Sequence, residues 1–341
     1  MRRVVVPKAG DLSVFQYEDS PDPEPGAGEV CIAVEASGVN FADLVARMGQ
    51  YQDAPPFPMG LGYEVSGTVC AVGPDVDPSW LGCGVVSLVE FTGYATHAIV
   101  PVGHLAKRPE GMTAAEGAAI PVTGLTAWMM LEVMGRVRAG DRVLVHSGGG
   151  GVGLMALDLL KWRGAYAIGT ASKRKHEFLL ERGYDEVIDY RTEDFEQALQ
   201  GEEGLDLILD PVGGDSWAKG MRLLRSGGRL VMFGFSAQSQ GKTGSLFQRV
   251  GAAWQIPWLK FNPVHLINSN IGVMGVNMAR LWDEGERVTQ WLEKVLSLWE
   301  EGVIRPVIHA EVPFEEVAEA HRILHDRENI GKVVLVQNSE A

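Results

Sequence analysis

The sequence predicts an α/β chain in which a doubly wound parallel sheet is joined to a second, mostly β domain. Three observations carry this. The glycine-rich run HSGGGGVG at 146–153 stands between a strand-like segment and a helix-compatible one. Short apolar runs alternate with helical segments from Arg142 to Val276, which is the pattern of a parallel sheet with crossover helices. The first 120 residues instead hold short strand-like runs broken by proline and glycine.

In the N-terminal part the runs VCIAVEASGV (Val30–Val39) and EVSGTVCAVG (Glu64–Gly73) are separated by SPDPEPGAGE and APPFPMG, both turn signals. Closely spaced turns between short strands predict a twisted, barrel-like sheet. The middle opens with RVLV (Arg142–Val145), the glycine run and the apolar LMALDLLKW (Leu154–Trp162). Gly148, Gly150 and Gly153 satisfy the G-x-G-x-x-G spacing of a dinucleotide site. Without a Cβ at these positions a pyrophosphate can approach the backbone. Gly151 and Val152 then open a helix whose free N–H groups and positive dipole end favour an anion.

The second strand, AYAIGT (Ala165–Thr170), leads into Ala171-Ser172-Lys173-Arg174-Lys175-His176. A site selective for NAD carries a carboxylate here for the ribose 2′-hydroxyl, but no acid occurs before Glu177. A hydroxyl and three cations suit the 2′-phosphate of NADPH, with Ser172 and Lys175 as leading contacts. Tyr190, just after the third strand VID (Val187–Asp189), is a further candidate contact. The alternative is a solvated basic surface, although cations in the first turn of a helix oppose its macrodipole unless an anion is bound. LDLILD (Leu205–Asp210), a helix through Ser216–Leu224, GRLVMFG (Gly228–Gly234) and IGVMGV (Ile271–Val276) continue the alternation. Gly234 would approach the nicotinamide half of the cofactor. An amphipathic helix (about Glu286–Glu301), the strand PVIHAEVPF, the helix EEVAEAHRIL and the strand GKVVLV close the sequence.

Composition bounds the function. A net charge of −14 argues against non-specific nucleic-acid binding. No apolar stretch is long enough to span a bilayer, and MRRVVVPKAG is too short in apolar residues for a signal peptide, so the expected compartment is the cytosol. Cys31, Cys70 and Cys83 show no metal-ligand spacing and are expected as small core residues. His146 and His309 lie beside apolar strands without a cysteine or carboxylate at useful spacing, and are expected to be structural. Turn geometry accounts for Asp210-Pro211 and the glycines that follow.

GVNFADLVARMGQY (Gly38–Tyr51), PVTGLTAW (Pro121–Trp128), the glycine turn, GTASKRKHE and NIGKVVLV together resemble the medium-chain dehydrogenase/reductase superfamily. They are similar to its zinc-free quinone oxidoreductase branch, which includes zeta-crystallin. GVNFADLVARMGQYQDAPPFP, IDYRTEDF and DPVGGDSWAKG are most similar to the synaptic vesicle membrane protein homologues. The resemblance implies a GroES-like barrel catalytic domain from both chain ends (1–122 and 273–341), a Rossmann domain at 123–272, and an active site in the cleft. It also implies NADPH as reductant, quinones or conjugated enones as acceptors, and a homodimer or tetramer through the Rossmann sheet. Zinc-dependent relatives place a cysteine at Asn40 and a histidine at Tyr63, and neither residue present here is a good zinc ligand. Without a metal, hydrogen-bond donors must stabilise the oxyanion that forms as hydride arrives. Asn40 and Tyr51 match positions that face the nicotinamide in relatives, and Thr126 matches a nicotinamide contact. From the residues alone, Asn40 could equally satisfy a strand-end turn, Tyr51 cap a loop, and Thr126 bond its own helix backbone.

Residues 236–270 form a long insertion rich in Phe247, Trp254, Ile256, Trp258, Leu259, Phe261 and Leu266. They can pack at the cleft or a dimer edge, form a lid for a lipophilic acceptor, or dock on a membrane surface. Two functions follow: an NADPH-dependent, metal-free quinone or enone reductase, or an NADPH-binding lipid- or membrane-associated adaptor with weak catalysis.

Overall fold

The computed structural model describes residues 1–235 and 262–337. It divides into two compact units, Met1–Leu125 with Met278–Ala341, and Thr126–Asn277. The sequence reading places these junctions at 122/123 and 272/273.

In the second unit six parallel strands lie in the order Glu186–Asp189, Tyr166–Ala171, Arg142–Val145, Leu205–Asp210, Leu224–Met232, Gly272–Gly275. Counted along the chain this is 3-2-1-4-5-6, the doubly wound dinucleotide-binding order. It reverses direction between the first and fourth strands. The uninterrupted apolar runs reflect burial on both faces: Leu144, Ile168, Ile188, Leu207, Ile208 and Leu230 are fully or almost fully buried. The helix Gly151–Arg163 packs Leu154, Leu157 and Leu160 inward and stops at Gly164, whose φ of 72° an L side chain would adopt only with strain. The fifth strand starts earlier than GRLVMFG suggested, because the helix Asp215–Leu223 passes directly into it at Leu224.

In the first unit a seven-stranded sheet runs Ile308–Pro313, Lys332–Val336, Glu29–Val39, Glu64–Val72, Gly84–Leu88, Leu105–Lys107, with His97–Pro101 also pairing Glu29–Val39. Both chain ends build its core, where Val4, Val6, Leu44 and Tyr94 pack with Phe314, Val317 and Leu335. At Gly67 a Cβ would lie 2.1 Å from the Ala33 carbonyl oxygen, so the bulged pairing with Glu29–Val39 needs glycine there.

Two expectations are corrected, and a third lies mostly outside the described residues. Cys31 is buried, but Cys70 is exposed and Cys83 half-buried, because alternation along the strand turns Cys70 outward. His146 does meet a carboxylate: its Nε2 lies 3.9 Å from Asp210 Oδ2, a partner on another strand that sequence spacing could not reveal. The expected insertion lies mostly outside the described residues, which omit 236–261 and with them Phe247, Trp254, Ile256, Trp258, Leu259 and Phe261. Its described end is the helix Pro263–Ser269, which exposes Val264 and Ile267.

Candidate active site

In the second unit the turn after Arg142–Val145 is held open by backbone geometry. Ser147 takes a left-handed φ of 58°, and the Gly148 N–H donates to the Thr170 carbonyl at 3.0 Å. At Gly153 a Cβ would stand 2.6 Å from the Ser147 carbonyl oxygen and 2.7 Å from that of Gly148. At Gly148 it would meet the Tyr184 hydroxyl at 2.9 Å. That buried hydroxyl donates to the carbonyls of Gly153 (3.0 Å) and Gly148 (3.3 Å), bracing the turn from beneath. Gly150 is the N-cap of Gly151–Arg163 and provides no side-chain cap, so among the described residues the first N–H groups of the helix, from Gly151, Val152 and Gly153, are left without a capping side chain. This is a cradle that side chains would fill, as a pyrophosphate requires.

Ser172 sits at the tip of Tyr166–Ala171 as N-cap of the short 3-10 turn Lys173–Lys175, and is buried. The stem of Lys175 lies against the glycine turn, since a Cβ on Gly149 would be 3.0 Å from its Cδ. Ser172, Lys175 and the glycines are thus brought together at the carboxyl edge of the sheet. Tyr190 follows the neighbouring strand, partly exposed with Arg191 over its ring. Gly234 follows Leu224–Met232 and passes close to Pro211, whose carbonyl oxygen would be 3.0 Å from an added Cβ. Thr126 is buried near the end of the helix Pro121–Trp128. His146 is buried too, with its Nδ1 3.1 Å from the Thr170 hydroxyl and its ring edge-on to Phe195. Burial lowers its pKa more than Asp210 restores it. Asp210 accepts from the N–H groups of Val212 and Gly213 and from the Ser216 hydroxyl, which is turn geometry.

In the first unit Asn40 ends the strand Glu29–Val39 and caps the helix Phe41–Arg47. Its N–H donates to Asp43 Oδ2 at 2.8 Å. Its side-chain amide donates to Glu64 Oε1 (2.8 Å) and to the Gly38 carbonyl (3.4 Å), while its Oδ1 accepts from the Lys332 ammonium at 2.5 Å. Lys332 also pairs with Glu64 Oε1 at 2.5 Å, and Glu64 Oε2 accepts from the Val122 N–H at 2.7 Å. All three side chains are buried. Both amide hydrogens of Asn40 therefore already have acceptors. Asp43, fully buried, also accepts from the Gly62 N–H at 2.9 Å. Burial pushes its carboxyl up to about 7, although its backbone hydrogen bonds and Lys332 pull the other way.

Tyr51 is half-buried, edge-on to Tyr63 with ring centroids 6.1 Å apart and tilted against Phe91 at 6.4 Å. Tyr63 meets Phe91 at 4.9 Å. Burial, and after it nearby carboxylates, raise the pKa of both phenols, so both stay protonated donors at neutral pH. Sequence reasoning missed Tyr63 as a donor, along with Glu64, Lys332 and Tyr184. The signal for Tyr63 was at hand, since GYE puts it where zinc-dependent relatives carry a ligand. Among the described residues no group of three or more His, Cys, Asp or Glu is placed to hold a metal ion. None of the described helices is long and apolar enough to cross a membrane.

Comparison with known proteins bears on the family and the fold. Residues 26–110 match the alcohol dehydrogenase GroES-like domain, and residues 182–335 match the zinc-binding dehydrogenase family. The chain is 37% identical over 333 residues to the synaptic vesicle membrane protein VAT-1 homolog of Rattus norvegicus, covering 97% of this chain and 82% of that protein. The crystal structure of the human VAT-1 homolog-like protein superposes with a TM-score of 0.85 at 30% identity, covering 100% of this chain and 99% of the other. The Escherichia coli quinone oxidoreductase complexed with NADPH gives 0.85 at 28% identity, covering 98% of this chain and 100% of the other.

Proposed function

The chain belongs to the zinc-free medium-chain dehydrogenase/reductases, in the branch of the VAT-1 homologs and quinone oxidoreductases, and we propose on that premise that it is an NADPH-dependent reductase of quinones or α,β-unsaturated carbonyls. The observation that carries the reading is the cradle of Gly148, Gly150 and Gly153 with Ser172 and Lys175 at its rim and no acid at the strand end. Bound there, NADPH supplies a hydride. Lys175 and Ser172 hold the 2′-phosphate, the N–H groups from Gly151 to Gly153 hold the pyrophosphate, and Thr126, Tyr190 and Gly234 complete the binding surface. Tyr51 donates to the acceptor's oxygen. Asn40 has its amide committed to Glu64, Gly38 and Lys332, so its part is to fix the strand-to-helix corner that precedes Tyr51. The edge strand Gly272–Gly275 pairs on one side only among the described residues, and its free side suits a two-fold related copy, giving a homodimer.

The test is NADPH oxidation, against an NADH control, with a panel of quinones and α,β-unsaturated ketones. Turnover with NADPH and indifference to chelators are expected. Metal-dependent turnover would overturn the mechanism, and tight NADPH binding without turnover would overturn the enzyme. A second reading, a membrane-associated adaptor, draws on exposed Phe235, Val264 and Ile267 flanking 236–261. Co-sedimentation with neutral liposomes supports it only if Ile267→Ser lowers the bound fraction.

A further inference from the structure

Tyr63 is only 9% exposed, and its hydroxyl is buried without a hydrogen-bond partner among the described residues. A phenol left in that condition costs free energy unless something else supplies the acceptor. The Tyr51 ring stands edge-on to Tyr63, with centroids 6.1 Å apart, so two phenols share the locality. The third ring is held at a backbone cost. Phe91 takes a left-handed φ of 57°, rare for a bulky residue, and Gly60 is what lets its carbonyl approach, since a Cβ there would stand 2.3 Å from the Phe91 oxygen. The main chain fixes Tyr63 as well, with the Val89 N–H donating to its carbonyl at 2.8 Å. The next residue is Glu64, tied to Asn40 and Lys332. Strained backbone, an unpaired buried donor and a three-ring cluster thus converge on one place.

We propose that the Tyr63 hydroxyl is a second hydrogen-bond donor, beside Tyr51, to the acceptor's carbonyl oxygen, and that the Tyr51–Tyr63–Phe91 rings select flat cyclic acceptors, quinones, over open-chain enones. This rests on the reductase reading above. Hydride arrival brings two electrons to the acceptor, leaves NADP+, and collects an electron pair on the carbonyl oxygen as an enolate or hydroquinone monoanion. Tyr63 keeps its proton and donates to that oxygen. Water then protonates the anion. A phenol in a water-poor position does this better than solvent, because its dipole is already oriented. Edge-to-face ring contacts favour a planar π-system over an aliphatic chain.

Tyr63→Phe removes one oxygen from an otherwise unchanged ring. It is expected to lower kcat/KM by about 10²-fold with every acceptor while leaving the Kd for NADPH unchanged. A second readout needs no turnover: 4-nitrophenol, a flat ring bearing an anionic oxygen, is titrated into the NADPH-free protein and followed by absorbance. Its Kd should weaken by about tenfold or more in Tyr63→Phe, a loss of about 1.4 kcal/mol. Phe91→Gly, which accepts the left-handed backbone, should raise KM for quinones and leave open-chain enones little changed. Wild-type kcat/KM together with wild-type 4-nitrophenol affinity in Tyr63→Phe would overturn the proposal, as would failure of the wild-type protein to bind 4-nitrophenol. Absence of turnover in the wild type would instead overturn the reductase reading, with the titration still deciding whether Tyr63 receives an anionic oxygen.

Discussion

Lys332 holds its ammonium 2.5 Å from both Asn40 Oδ1 and Glu64 Oε1 in a buried setting. Removing one member of such a pair leaves an uncompensated charge, which typically costs about 3–5 kcal/mol. Lys332→Met is therefore expected to lower the urea stability of the first unit by about that amount, and Lys332→Met/Glu64→Gln to recover much of the loss. Equal losses in the two variants would show that charge pairing is not what holds these groups. Asp43 gives the same neighbourhood a pH dependence. Its folded pKa of about 7 lies above the ordinary 3.8, so between those values the folded chain binds more protons than the unfolded one. The contribution is complete below about pH 4, declines as pH rises to about 7, and is constant above. Asp43→Asn should flatten this part of the stability profile measured by urea unfolding, and an unchanged slope would assign it to another group. Little of this was legible beforehand. Asn40 and Lys332 are 292 positions apart, and the burial that raises the Asp43 pKa belongs to the packed unit, not to any local pattern.

The glycine turn is the element the sequence describes best, because its requirements are local: a strand, three residues without a Cβ, and a helix start within a dozen positions. Its brace was not legible, since Tyr184 stands 31 residues beyond Gly153 and reads as an ordinary aromatic before the third strand. Gly153→Ala would drive a methyl to 2.6 Å from the Ser147 carbonyl oxygen, and is expected to loosen NADPH by about tenfold or more in a fluorescence titration. Tyr184→Phe keeps the ring but abandons two carbonyls, with an expected stability loss of about 1 kcal/mol. Lys175→Glu reverses charge where its stem meets Gly149. It should weaken NADPH about tenfold or more through loss of a charge-assisted bond, with much less effect on NADH. Equal weakening of both cofactors would remove Lys175 from the 2′-phosphate.

At the scale of the whole molecule, strand and helix periodicity outlined the second unit, where neighbours in sequence are mostly neighbours in space. The first unit is different. Its strand Lys332–Val336 lies between Ile308–Pro313 and Glu29–Val39, and periodicity does not name a partner some 300 positions away; only the family resemblance implied the join. That strand buries Val333, Val334 and Leu335 almost completely and hydrogen-bonds along both edges. Burial of three such side chains stabilises by about 5–9 kcal/mol, within the range of a whole domain's stability. A chain ending at Arg327 also loses Lys332, leaving Glu64 buried beside Asn40 without its cation. The first unit is therefore expected not to fold in that truncation. Thr126–Asn277 keeps all six of its strands and its own core, and should still bind NADPH. Limited proteolysis together with NADPH titration is the measurement: digestion of the first unit's strands, with NADPH binding retained, is the expected result. An intact first unit would mean that the C-terminal strand only decorates the sheet, whereas digestion of both would mean that the dinucleotide unit depends on the first for its fold.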